Sequence, residues 1–252
     1  MQEYTLKKSL GQHFLKDENI CKRITDSLLN HPFHQLIEVG PGAGALTKYL
    51  LRIKNIDFKA VELDDEKVLF LEKNYPDIKG KIIHQSVLEM EVPFENDFVV
   101  IGNFPYNISS QILFKILEWK QNVPLAIGMF QKEVAQRIAA KSGSKVYGIL
   151  SVLVQAYYEV EYLFDVSPEN FNPPPKVMSG VIQLIKKENT PAMCSERKFF
   201  VLIKTAFNQR RKMLRNAVKS LFEESFLQDE IFTKRAEQLS VEDFAKLTFK
   251  MK

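Results

Sequence analysis

At 252 residues, 45% hydrophobic and 26% charged, the chain has the composition of a globular protein with room for one large domain and a modest appendage. No run approaches the roughly eighteen uninterrupted apolar residues that a membrane span needs, and residues 1–8 lack the apolar core of a secretory signal. Cys21 and Cys194 form no CxxC pair or His-rich cluster, which argues against a disulfide framework or zinc site and favours a reducing, cytoplasmic setting; the net charge of +4 is too mild to name a partner.

From residue 35 to 185, short β-rich runs alternate with amphipathic ones. Residues 35–39 predict a strand and 43–51 a helix; 58–61 predict a strand and 65–74 a helix. Residues 81–84 and 98–101 read as further strands, the second nearly all apolar as a buried parallel strand should be. A helix follows over 109–119, with Ile112, Leu113, Ile116 and Leu117 on one stripe. A strand over 125–129 and a helix over 132–141 continue the alternation, which implies a doubly wound parallel α/β sheet.

The pattern then changes. Residues 150–158, 160–164 and, after Pro173-Pro174-Pro175, 177–185 read as strand-like runs added antiparallel at one sheet edge. Residues 186–193, with Pro191, read as a linker. Beyond them Phe200, Ile203, Phe207, Leu214, Val218 and Leu221 recur at helical spacing. The expected organisation is a catalytic domain over residues 1–188 and a small all-helical domain over 189–252.

The first strand runs into Glu38-Val39-Gly40-Pro41-Gly42-Ala43-Gly44, and Glu62 ends the second strand 22 residues after Gly40. Glycines let a backbone turn sharply and approach a ligand, and the first crossover of an α/β sheet is where nucleotide-like ligands sit. A carboxylate at Glu62 suits a ribose diol. Gly40, Gly42 and Ala45 also satisfy a permissive dinucleotide pattern, so the loop alone leaves an NAD-dependent oxidoreductase and an S-adenosylmethionine enzyme both open. Pro41 leans against a pyrophosphate, because it removes an N–H that phosphate would use.

The fourth strand ends in Asn103-Phe104-Pro105-Tyr106, where C-terminal strand ends line the crevice. An adenine amine is a poor nucleophile, its lone pair being delocalised into the ring. The Asn103 side-chain oxygen and a backbone carbonyl near Phe104 can each accept one of its N–H bonds. That draws the nitrogen towards tetrahedral geometry and aims it at a methyl donor. Pro105 stiffens the turn, and Tyr106 offers a face for an extracted base. No Ser/His/Asp or Cys/His arrangement competes, and His13, His31, His34 and His84 lack metal-ligand spacing.

Between Glu196 and Lys219 the acid is Glu196 alone, against Arg197, Lys198, Lys204, Arg210, Arg211, Lys212, Arg215 and Lys219. Taken alone, this run is either a solvated helix face or a grip on phosphates.

Several segments together resemble the KsgA family of rRNA adenine N6,N6-dimethyltransferases, related to the Erm resistance methyltransferases. They are Ser9-Leu10-Gly11-Gln12-His13-Phe14-Leu15, Gly40 with Glu62, and Asn103-Phe104-Pro105-Tyr106-Asn107-Ile108-Ser109. Gln131-Lys132-Glu133-Val134-Ala135 and Phe171-Asn172-Pro173-Pro174-Pro175-Lys176-Val177 match as well. Phe207-Asn208-Gln209-Arg210-Arg211-Lys212-Met213-Leu214-Arg215-Asn216 is closer to KsgA than to Erm.

The resemblance implies a Rossmann-like class I methyltransferase fold that uses S-adenosylmethionine, yields S-adenosylhomocysteine and needs no metal. It implies cofactor contacts from His13, Leu15, Gly40, Glu62, Ser86 and Asn103, with the target base between Tyr106 and Phe171. RNA contacts would come from Arg210, Arg211, Lys212 and Arg215. The implied reaction is dimethylation of two adjacent adenosines in the 3′-terminal hairpin of 16S (small-subunit) rRNA. The implied partners are that RNA and the pre-30S particle, without a membrane, the protein acting as a monomer. The rivals are an Erm-type large-subunit enzyme and a non-catalytic assembly factor. One position departs from the family pattern: Ser86 stands where an aspartate is usual, so the hydrogen bond to the cofactor adenine amine would lack charge assistance.

Overall fold

The computed structural model describes residues 13–252; Ser9 to Gln12 of the N-terminal motif lie outside the described residues. In chain order the elements are β1 (Phe14–Leu15), α1 (Glu18–Asp26), β2 (Gln35–Val39), α2 (Thr47–Leu50), β3 (Asp57–Glu62) and α3 (Asp65–Asn74). There follow β4 (Ile82–His84), β5 (Val99–Asn103), α4 (Ser109–Glu118), β6 (Leu125–Gln131), α5 (Lys132–Ile138) and α6 (Ile149–Gln155). The chain continues with β7 (Tyr158–Val166), β8 (Phe171–Asn172), β9 (Ser179–Lys186), α7 (Glu196–Asn208), α8 (Leu214–Ala217) and α9 (Val241–Leu247).

The main sheet has the order β4-β3-β2-β5-β6-β9-β7. The strands from β4 to β6 are parallel, and β9 runs antiparallel to β6 along its whole length. The order reverses between β2 and β5, so the crevice of a doubly wound sheet opens beyond their C-terminal ends. β6 is apolar nearly throughout because it is buried from Leu125 to Phe130, with strands on both sides. β1 and β8 form a separate antiparallel ribbon, with Leu15 opposite Phe171. α3 starts where Asp64 accepts the Glu66 N–H at 3.1 Å, and Asp65 and Glu66 complement the helix dipole.

The chain divides into two compact units. One comprises the residues up to Ala135 with Glu161–Lys186; the other comprises Gln136–Val160 with Lys187–Lys252. The expected cut after residue 188 lies close to one of these boundaries, but residues 136–160 belong with the second unit. The reason lies in one element: the strand expected over 150–158 is the helix α6 followed by the start of β7. Its run Ile-Leu-Ser-Val-Leu-Val is apolar enough for a buried strand or a buried helix, and periodicity cannot separate the two. Polar side chains decide. The Ser151 hydroxyl accepts the Gly148 N–H at 2.9 Å and donates to the Arg137 carbonyl at 2.5 Å. One turn on, Gln155 donates to the carbonyls of Ile138 and Ala140, both at 2.8 Å. These bonds cap carbonyls at and just beyond the end of α5.

Within the second unit α6 packs on α7 and α9. The buried stripe of α7 is Phe199, Leu202, Ile203 and Ala206, whereas Phe200, expected in it, is 41% exposed. No helix among the described residues is long and apolar enough to cross a membrane.

Candidate active site

The loop after β2 holds Gly40, Gly42 and Gly44 at φ +69°, +55° and +83°, where a side chain is strained. A Cβ on Gly42 would also lie 2.7 Å from the Phe14 ring. The loop's three glycine N–H groups are engaged within the protein. Gly40 N–H donates to the Val61 carbonyl at 3.0 Å and Gly44 N–H to the Pro41 carbonyl at 2.8 Å. Gly42 N–H donates to Glu62 Oε2 at 3.1 Å.

Glu62 ends β3 and is 8% exposed. Besides Gly42, the N–H groups of Leu63 and Asp64 donate to its Oε1 at 2.9 and 3.0 Å. Burial pushes its pKa up, and these N–H bonds offset part of that rise. A carboxylate has about four lone-pair positions. With one N–H on Oε2 and two on Oε1, Oε2 retains the opening for a ligand hydroxyl.

Glu38 is the fourth residue of β2, and its pattern in the sequence marks it only as a strand residue. It is 1% exposed and accepts the Thr47 hydroxyl on Oε2 at 2.7 Å. Burial pushes its pKa up to about 8, with a smaller contribution from the Glu62 charge. A lone acid in Gln-Leu-Ile-Glu-Val, directly before the glycine loop, was the available signal.

At the end of β5 the Asn103 Nδ2 donates to the His13 carbonyl at 3.0 Å. This bond assigns the amide: nitrogen towards β1, Oδ1 left as an acceptor. Phe104 donates its N–H to the Met129 carbonyl at 3.3 Å, and its ring is 1% exposed. The ring meets Phe130 edge-on at 5.2 Å. A Cβ on Gly102 would lie 2.7 Å from it, and one on Gly128 would overlap it. The two glycines thus make room for the ring, which anchors the turn.

Tyr106 Oη shares a 2.5 Å hydrogen bond with Ser179 Oγ, and its ring lies 5.4 Å from that of His13. Burial raises the Tyr106 pKa. His13 Nδ1 is 2.9 Å from the Pro173 carbonyl, so Nδ1 carries the proton and donates. Ser86 Oγ accepts the Leu88 N–H at 3.3 Å.

His13, Leu15, Gly40, Glu62, Ser86 and Asn103 line one cavity of about 210 Å³, and Phe104, Pro105 and Tyr106 complete that wall. Glu38 lines it too. Glu38 and Glu62 but no Lys or Arg line it among the described residues, so the cavity offers a pyrophosphate no cationic side chain. Phe171 does not line it. Expected as a second aromatic wall, Phe171 is 1% exposed and packs in the core around Leu15 and Val181. Its pairing with Leu15 across the β1–β8 ribbon turns it inward, and the ring that approaches Tyr106 is that of His13.

The basic run divides. Arg211 and Lys212 are exposed, Arg215 is partly buried, and Arg210 is engaged within its own unit. The Arg210 guanidinium donates to the carbonyls of Ser144 (3.4 Å) and Lys145 (2.5 Å) and lies 3.6 Å from Glu237. Among the described residues no cluster of three or more His, Cys, Asp and Glu is arranged to hold a metal.

Solved structures share this fold. A dimethyladenosine transferase from Plasmodium falciparum superposes with a TM-score of 0.77 at 24% identity, over 93% of this chain and 96% of that one. The 23S rRNA methyltransferase ErmE gives 0.71 at 22%, over 92% and 99%. At such identity the likeness speaks for the fold alone, a Rossmann-like class I methyltransferase fold with a helical C-terminal region. Sequence similarity reaches further. Ribosomal RNA small subunit methyltransferase A of Flavobacterium johnsoniae is 52% identical, over 100% of this chain and 97% of its own length. The protein of the same name from Cytophaga hutchinsonii is 48% identical over 98% of each chain. The family model described as Ribosomal RNA adenine dimethylase matches residues 3–251. With that match spanning the crevice residues and the basic helical region alike, the chain belongs to the ribosomal RNA adenine dimethylase family.

Proposed function

We propose that the chain transfers methyl groups from S-adenosylmethionine to adenine N6 in small-subunit rRNA, two to each of two adjacent adenosines of the 3′-terminal hairpin. The observation that carries this reading is the Asn103 amide, whose nitrogen is tied to the His13 carbonyl while Oδ1 remains an acceptor on the cavity. Bound there, the cofactor supplies an electrophilic methyl on a sulfonium. Its fit is supported by the engaged N–H groups of Gly40, Gly42 and Gly44 and by a lining without Lys or Arg, both of which suit a ligand that carries no phosphate. Glu62 Oε2 accepts a ribose hydroxyl, and Ser86 stands where an adenine amine would be met.

In the first transfer the substrate amine donates one N–H to Asn103 Oδ1 and the other to the Phe104 carbonyl; in the second the monomethylated amine has one N–H left and donates it to one of these acceptors. Held this way, its lone pair is directed along the line of transfer, and the proton lost from nitrogen passes to solvent. Fixed acceptors in a dry cavity need no reorganisation as charge develops on nitrogen. Tyr106, pinned by Ser179, presents its face to the base. The small-subunit target rests on the names of the relatives, and the RNA grip on the exposed Arg211 and Lys212 of a helical second domain. The protein acts as a monomer on the pre-30S particle.

The test is to incubate methyl-labelled cofactor with undermethylated small subunits and to map N6,N6-dimethyladenine. Label confined to two adjacent adenosines near the 3′ end is expected. Label in large-subunit RNA, or none, overturns the reading.

A further inference from the structure

α3 lies beside β3 and β4, and its buried face is formed by Lys67 and Leu71, one turn apart. Leu71 is what such a stripe asks for. Lys67 is not: its side chain is 0% exposed, and lysine is almost never fully buried unless its ammonium is compensated. Lys67 does not line the cofactor cavity either, so any effect it has on a ligand passes through another residue.

That residue is Phe14. The Lys67 ammonium stands over its ring, with Nζ 5.2 Å from the centroid. The same ring lies against the glycine loop, where a Cβ on Gly42 would be 2.7 Å from it. Phe14 belongs to β1, whose residues Phe14 and Leu15 line the cavity together with His13. Bonds at other points tie this stretch to its neighbours. Lys16 N–H donates to the Asn170 carbonyl at 2.8 Å, and Asn103 Nδ2 donates to the His13 carbonyl at 3.0 Å. The contact that seats it on the glycine loop is the Phe14 ring. Tyr75, just beyond α3, braces the loop itself, donating from Oη to the Ala43 carbonyl at 3.3 Å. Lys67 acts instead on the strand that faces the loop.

We propose that Lys67 is a positioning residue for the cofactor cavity: its buried cation holds the Phe14 ring against Gly42 and so keeps β1, with His13, closed over the cofactor. This deepens the proposed function and rests on its reading that the cavity takes S-adenosylmethionine. An ammonium over an aromatic face is attracted by the negative face of the ring, and more strongly once water is removed. Full burial of Lys67 provides that condition. An apolar side chain of the same length would fill the volume and leave the ring unheld.

The experiment compares the full chain with Lys67→Met, which keeps the length and loses the charge. Amide hydrogen exchange is followed without cofactor, and calorimetry gives the Kd of S-adenosylmethionine. Loss of a desolvated cation–π contact predicts that exchange at residues 14–16 and Kd each rise about 5- to 30-fold, equivalent to about 1–2 kcal/mol. Exchange in β2 and β5 should stay at wild-type rates, and kcat at saturating cofactor should stay within about twofold. In a Phe14→Leu background, which lacks the ring face, Lys67→Met should add nothing. Wild-type exchange at residues 14–16, equal acceleration in β2 and β5, or effects that add in the double variant overturn the role.

Should Lys67→Met fail to fold, Phe14→Leu and Phe14→Tyr take its place, the Phe14 side chain being half-buried. Faster exchange of β1 in Phe14→Leu with wild-type exchange in Phe14→Tyr supports the contact, and equal exchange in the two overturns it. Exchange and Kd are both read without RNA. A chain that shows these effects yet transfers no methyl would sink the proposed reaction and leave Lys67 its role.

Discussion

Asn103→Ala separates orientation of the substrate from retention of the cofactor. The substitution removes Oδ1, one of two acceptors for the target amine, and also the Nδ2 bond to the His13 carbonyl at 3.0 Å. Loss of one preorganised hydrogen-bonding group at a developing charge costs about 10²–10³ in kcat, or roughly 2.7–4 kcal/mol. The tether to His13 is a neutral, partly buried hydrogen bond, contributing about 0.5–1.5 kcal/mol. Were all of it expressed in cofactor binding, Kd would rise about 2- to 13-fold. Single-turnover transfer of labelled methyl should therefore fall by at least two orders of magnitude, while calorimetric cofactor Kd rises by about one at most. Asn103→Asp keeps an oxygen acceptor and loses the donor, so its rate should fall less than that of the alanine variant. A rate loss below tenfold for Asn103→Ala, or a rise in Kd as large as the rate loss, refutes the assignment.

Three further outcomes follow from the same geometry. Ser86→Asp should tighten cofactor binding about fivefold in calorimetric titration, the difference between a neutral and a charge-assisted hydrogen bond being about 1 kcal/mol; no gain would sink the role given to Ser86. Glu38 has a folded-state pKa of about 8 against an ordinary 4.5. The folded chain thus keeps a proton that the unfolded chain releases, and the stability from this group is full below pH 4.5 and lost as pH rises through 8. The thermal midpoint should accordingly fall more steeply between pH 6 and 9 for the wild type than for Glu38→Gln, and parallel profiles would contradict this. Gly128→Ala drives a methyl into the Phe104 ring and to 2.8 Å from Phe130. Overpacking of that kind costs about 1–3 kcal/mol, so the midpoint should drop and kcat with it, as the turn carrying Asn103 shifts. Unchanged kcat in a folded variant would remove Phe104 as the anchor of that turn.

What was legible in the sequence is what short-range patterning controls. β2 and α3 have their expected bounds, Gln35–Val39 and Asp65–Asn74, because an apolar run and an Asp-capped amphipathic run each carry a local signal. α6 was not legible, since its apolar run fits a strand as well as a helix, and Ser151 and Gln155 choose between them only through carbonyls at 137–140. The burial of Phe171 was not legible for a related reason. Its place before Asn172-Pro173-Pro174-Pro175 gives no indication of which way a two-residue strand turns its side chains, and the register with Leu15 turns this one into the core. Arg210 shares a basic run with Arg211 and Lys212, yet its guanidinium is used by a loop some sixty-five residues away in sequence.

The glycine loop illustrates how structure can resolve a choice that its sequence leaves open. Gly40-Pro41-Gly42 followed by Ala45 suits a dinucleotide as well as S-adenosylmethionine, because both ask for a tight turn and a distant acid. They differ in what they ask of the backbone N–H groups. A pyrophosphate needs several pointing outwards at a helix N-terminus. Here Gly40 gives its N–H to Val61, Gly44 to Pro41 and Gly42 to Glu62, while Pro41 has none. α2, moreover, begins only at Thr47 and spans four residues, a short source of dipole for any anion. The Gly42 bond also locks Glu62 in place, so the group that would take the ribose is held by the donor that a phosphate would have needed. One hydrogen bond thus both removes a pyrophosphate donor and positions the carboxylate that a neutral diol requires.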